Sequence, residues 1–161
     1  MENVKNVTFD EIQVGATAEF RHAISQADIE LLAFVTGDVD PFYLVGEGAA
    51  RVRPDIHSTE AVGAQAVIAA ALGTRLPGPG MVILRQELVF QGMVATGDVL
   101  TATVKVTEKR PRGTEVVLAC RCVNQRGELL ADGVVTVAAP TKSITCAELA
   151  PLRLELRRGD G

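Results

Sequence analysis

The sequence predicts a single α+β domain in which an antiparallel sheet wraps around one long buried helix. Two observations carry that prediction. The stretch AVGAQAVIAAALG (61–73) is small and apolar nearly all round, so a helix there belongs inside the protein rather than on its surface. After LPGPG (76–80), a rigid turn, the pattern switches to strand period over four runs, roughly 81–91, 98–109, 114–124 and 128–139.

The elements follow in chain order. Residues 16–24 read as a first strand. A helix begins at Ser25, a good N-cap, and Asp28 three residues later completes an approximate capping box. Ile29, Leu32, Ala33 and Val35 continue it, Gly37 ends it, and a loop with Asp38, Asp40 and Pro41 comes next. The buried helix is expected to be capped by Ser58 or Thr59 and to run to Gly73, and its many Ala and Gly residues let sheet backbone approach closely. Among the extended runs, Leu100, Ala102, Val104 and Val106 alternate with Thr101, Thr103, Lys105 and Thr107. Val116, Leu118, Cys120 and Cys122 share a face, and Asn124–Gly127 suits a hairpin turn. The four runs are expected to form an antiparallel meander. Strand, helix, buried helix and then sheet is the hot-dog arrangement, expected over residues 1–140, with 141–161 a C-terminal tail or short terminal helix.

At 161 residues, 47% hydrophobic and 22% charged, the chain suits one domain with a real core. A net charge of -4 and a pI near 5.2 argue against a nucleic-acid or polyanion partner. The basic cluster Lys109, Arg110, Arg112 and the pair Arg157 and Arg158 read as solvated. No secretory leader is visible, and no apolar run approaches the roughly 20 residues a spanning helix requires. A cytoplasmic protein with no membrane partner is the expectation. Cys120, Cys122 and Cys146, with only His22 and His57 to help, make neither a disulfide framework nor a zinc set, so no metal or redox cofactor is expected. His22, on an early strand, reads as structural or exposed.

Three segments together resemble the MaoC-like, (R)-specific enoyl-CoA hydratase family. They are FDEIQVG (9–15), the stretch from Ile29 through GDVDP (37–41), and LPGPGMVILRQELVF followed by GDVLTATVKV (97–106). The middle one is similar to a helix followed by a Gly-Asp-x-Asn-Pro-x-His loop. The likeness covers about residues 5–140 and is nearest to the hydratase-like domain that some bacteria fuse ahead of a phosphotransacetylase domain, although no such second domain is seen in this sequence. It implies a homodimer with its site near the subunit interface. It also implies addition of water to a trans-2-enoyl thioester of CoA or an acyl carrier protein. An Asp and a His hold the water, and a His-Gly pair at the start of the buried helix places the thioester carbonyl near unpaired backbone donors.

Carried over residue by residue, the family's Asp falls on Asp38 and its Asn on Asp40. Its catalytic His falls on Tyr43, and the acid two residues further falls on Val45. The His-Gly pair falls on Glu60 and Ala61. The resemblance thus implies Asp38, Tyr43 and Glu60 as catalytic candidates, with Asp40, His57 and Ala61 beside the substrate. A phenol, with a reference pKa of about 10, is no base near neutral pH, but Tyr43 can donate a hydrogen bond or position water for Asp38. Glu60, with His57 three residues earlier, opens a second reading: a thioesterase, or another thioester lyase or isomerase, using Glu60 as base or nucleophile. A third is a non-catalytic acyl-thioester-binding subunit that lost its His. Structural roles stay open too, an Asx turn for Asp38 with Asp40 and a dipole-complementing acid for Glu60.

Overall fold

A computed structural model describes residues 3–37, 58–59 and 62–147 of the chain. The elements are β1 (Asn3–Lys5), β2 (Thr17–Ala23), α1 (Gln26–Thr36), β3 (Ser58–Thr59), α2 (Val62–Thr74), β4 (Val82–Phe90), β5 (Val94–Ala95), β6 (Val99–Arg110), β7 (Glu115–Val123), β8 (Leu129–Ala138) and β9 (Thr145–Ala147). Five strands form one antiparallel sheet in the order β2-β6-β7-β8-β4, and α2 packs on its inner face against β6, β2 and β7. This is the hot-dog architecture that the pattern predicts.

The period-two pattern decides which residues meet the helix. Leu100, Ala102, Val104 and Val106 of β6 are fully buried, as are Val116, Leu118 and Cys122 of β7. From α2 they receive Ala64, Val67, Ile68, Ala71 and Leu72, each at most 4% exposed. The α1 boundaries also follow the sequence. Ser25 Oγ accepts from the Asp28 amide, the Asp28 carboxylate accepts from the Ser25 amide, and Gly37 closes the helix at φ 72°, a left-handed cap that favours glycine.

Three expectations are corrected. Ser58 and Thr59 do not cap α2; they pair with Ala95 and Val94 as a short ladder, and the helix starts at Val62 and ends at Thr74. The four long runs are not a simple meander: β6, β7 and β8 are consecutive, whereas β4 lies at the far edge against β8. The segment between β4 and β6 contains β5, whose pairing with β3 accompanies that crossing. Third, residues 141–147 are not a free tail. β9 pairs with β1, and Asn6, 2% exposed, fastens the joint by donating to Pro79 O and Lys142 O and accepting from Ile144 N.

The motif segments have plain structural reasons. In FDEIQVG, Ile12 is buried, and its carbonyl accepts from Lys109 Nζ at 2.7 Å while that ammonium sits 4.6 Å from the Phe9 ring centroid. Lys109 is therefore not simply solvated, whereas its neighbour Arg110 pairs with Glu108 at the surface. In GDVLT, Asp98 is 3% exposed and accepts from Ala95 N and Gln125 Nε2, closing the turn before β6. Gly133 of β8 marks the closest strand approach: a Cβ there would stand 2.0 Å from Glu87 O of β4.

Candidate active site

A cleft of about 280 Å³ opens between β2, α1 and α2. Strand β2 supplies Phe20 and His22, two residues apart and so on one face, and Ile24 follows them. Helix α1 supplies Asp28, Ile29 and Leu32. Helix α2 supplies Gly63, Ala66, Val67 and Ala70, the i, i+3, i+4, i+7 stripe of one helix face. Three of those four are Gly or Ala, and their small side chains leave the volume open.

The lining is apolar except at one corner. His22 Nε2 lies 3.6 Å from Asp28 Oδ2, and the His22 ring stacks on Phe20 at 15° with centroids 6.5 Å apart. Partial burial would raise the Asp28 carboxyl, but bonds from the Ser25 hydroxyl and amide, with His22 beside them, outweigh it and hold Asp28 below the ordinary carboxylate range. Asp28 is thus an anion at neutral pH, fixed by the capping box. His22 and Asp28 side chains remain 46% and 41% exposed, open enough for water to reach.

Other reactive groups are accounted for elsewhere. Burial pushes the Cys120 thiol up to about 12 and Cys122 to about 11, so neither is a nucleophile near neutral pH. Among the described residues no group of three His, Cys, Asp or Glu side chains could hold a metal ion. None of the described helices is long and apolar enough to cross a membrane.

The sequence candidates Asp38, Asp40, Tyr43, His57, Glu60 and Ala61 all lie outside the described residues. The structure adds a site wall that sequence reasoning did not single out. Two signals for it were present: the small-residue stripe of α2, and the shared strand face of Phe20 and His22. His22 is exposed, as expected, and in addition lines the cleft.

No family model matches the chain. It is 34% identical over 151 residues to the 3-hydroxybutyryl-CoA dehydratase of Methylorubrum extorquens, covering 94% of this chain and 93% of that protein. The chain belongs to the MaoC-like, (R)-specific enoyl-CoA hydratase family. A second relative in this family, the (R)-specific enoyl-CoA hydratase of Rhodospirillum rubrum, is 33% identical over 134 residues, covering 83% of this chain and 92% of its own. Among solved structures, the unliganded R-hydratase PhaJ1 of Pseudomonas aeruginosa matches with a TM-score of 0.85 and 35% identity, over 96% of this chain and 100% of that one. Membership in the MaoC-like family makes the chain an enzyme of hydratase and dehydratase type. The likeness to a domain fused to a phosphotransacetylase rests on the sequence segments alone.

Proposed function

We propose that this protein adds water across the double bond of a short or medium trans-2-enoyl-CoA, and removes it in reverse, with the acyl chain lodged in the cleft between α1 and α2. The observation that carries this reading is the apolar, small-residue wall of that cleft in a chain that matches CoA-ester hydratases and dehydratases along nearly its whole length. The relatives are named for CoA esters, which favours CoA over a carrier protein as the thiol. On this reading Asp38, Tyr43 and Glu60 remain the catalytic candidates that the family motif implies, with Asp40, His57 and Ala61 beside the substrate.

The working unit in this reading is a homodimer joined along β4. Ile83 and Phe90 share the sheet face of the buried Val137 and Ala131, yet they are 36% and 41% exposed. Arg85 and Glu87 lie two residues apart on β4 and bond to each other. A twofold antiparallel pairing centred on Gln86 sets each Arg85 opposite the partner copy's Glu87, a self-complementary arrangement.

The test is loss of the enoyl absorbance of crotonyl-CoA on incubation with the purified protein, with released thiol followed in the same samples. Hydration that Asp38→Asn abolishes supports the reading. Thiol release sensitive to Glu60→Gln transfers the protein to the thioesterases, and silence in both, with binding retained, leaves a binding subunit. The cleft has its own check. Ala70→Leu is expected to raise KM for a longer enoyl-CoA about tenfold or more while changing crotonyl-CoA little, since one pocket methylene is worth about 1–3 kcal/mol.

A further inference from the structure

We propose that His22, oriented by Asp28, is the general base and acid of the hydration, supplying the imidazole that the family motif lacks at Tyr43. The proposal rests on the hydratase reading above. Adding water to an enoyl thioester needs a group that takes a proton from water near neutral pH and returns one to carbon, a role suited to imidazole and not to a phenol. The sequence holds two histidines, and His22 stands on the wall of the cleft proposed for the acyl chain.

The geometry follows the logic of a base steered by a third group. The Asp28 carboxylate, held by Ser25, faces His22 Nε2 at 3.6 Å, an ion-pair distance. Catalytic hydrogen bonds commonly shorten only with substrate in place. With Nε2–H turned to Asp28, the lone pair free for water is on Nδ1, which has no hydrogen-bond partner among the described residues. Phe20 lies nearly parallel to the ring, with centroids 6.5 Å apart. Of the ten lining residues only His22 and Asp28 titrate; α2 contributes none, and the β6 partner of His22 is Leu100. The nearest charges on β2, Glu19 and Arg21, alternate away from the cleft.

The step balances without a co-reactant. Nδ1 takes a proton from water as the oxygen bonds to C3 of the enoyl group. The C2–C3 π pair shifts to a C1–C2 enolate with charge on the thioester oxygen. The imidazolium then gives its proton to C2, the carbonyl re-forms, and His22 is neutral again. Asp28 is the positioning residue: it fixes the ring and stabilises the imidazolium between the two transfers.

The experiment is the pH profile of kcat/KM for crotonyl-CoA hydration by the full chain and four variants, with folding checked by thermal melt. His22→Gln is expected to lose about 10²–10⁴-fold and with it the acid limb of the profile. His22→Ala should lose as much and recover part of its rate with free imidazole. Asp28→Asn should lose less, through kcat rather than KM, because the ring keeps its place on the cleft wall but loses the carboxylate that orients it. Arg21→Gln, on the other face of β2, should leave the profile unchanged. A wild type that hydrates crotonyl-CoA beside a His22→Gln variant that keeps its rate and acid limb overturns the assignment of His22 alone. A wild type with no hydration overturns the hydratase reading and this one with it.

Discussion

The two edges of the main sheet are built on opposite plans. On β2, Thr17, Glu19 and Arg21 alternate with Ala18, Phe20 and His22, and Glu19 accepts a bond from Thr103 of β6. Its inner face lies under this chain's own helices and forms the cleft wall. On β4, Val82, Leu84, Val89 and Phe90 are all exposed, and Arg85 and Glu87 are the charges it carries. A sheet edge with few charges and much apolar surface is a template for another strand. The face of one edge strand is thus covered by the chain's own helices, whereas the other edge strand carries exposed apolar side chains, the feature on which the proposed pairing with a second copy rests.

Breaking the β4 edge should have the largest effect. Ile83→Lys combined with Phe90→Lys places charges on the core-facing side of the strand. Each large apolar side chain is worth about 1.5–3 kcal/mol when buried, so the pair should weaken dimerisation by about 10²–10⁴-fold. Light scattering over a dilution series reads the change. A wild type that is monomeric at every concentration, with these substitutions silent, would sink the assignment of the edge. The matching pair on β2, Glu19→Lys with Arg21→Glu, should leave the assembly unchanged.

Next comes the fastening of β4 to the sheet. Gly133→Ala sets a methyl against Glu87 O at a distance no Cβ tolerates, so β8 and β4 must part locally. Overpacking of this kind costs about 1–3 kcal/mol, visible as a lowered Tm. Equal stability in the alanine variant would show that β4 shifts freely, and that its edge is less fixed than the pairing with β8 implies.

How much of this was legible in the sequence depends on the range of the interaction. The α1 boundaries were written in Ser25, Asp28 and Gly37, whose caps are made within a few residues. The faces of β6 and β7 were written in their period-two alternation. The destination of β4 was not, because nothing in VILRQELVF distinguishes β6 from β8 as its neighbour; the β3–β5 ladder and the crossing around it bear on that choice. Pairs as short as β1 with β9 have no period to detect and depend on a distant anchor, Asn6. At the site, the motif residues fall between α1 and α2 in the sequence, whereas the stripe of Gly63, Ala66, Val67 and Ala70 carries no motif. Small residues bring backbone close, and here they also leave a cleft.

On the β2 side the expected effects are smaller, because the contacts are partly exposed. Lys109 pins the segment leading into β2 through its bond to Ile12 O and its place over Phe9. Lys109→Met keeps the aliphatic stem and deletes both interactions, which should cost about 1–2 kcal/mol in urea unfolding. A neutral result would show that the stem alone holds the segment.

The smallest effect also reports on the cleft. Ser25→Ala removes the cap of α1, worth about 1 kcal/mol, and frees Asp28 from its hydroxyl partner. Because the capping bonds hold the Asp28 carboxyl below its unfolded value, its stabilisation is present above the unfolded carboxylate pKa and is lost as pH falls through the folded one. The stability gap between wild type and Ser25→Ala should therefore be full at neutral pH and shrink as urea unfolding is repeated down to about pH 3. A gap that stays constant would assign the cap to the neutral bond from Ser25 Oγ to the helix amide, with the carboxylate contributing nothing. In that case Asp28 would be free to swing, and β2 would lose the fixed anion that orients His22.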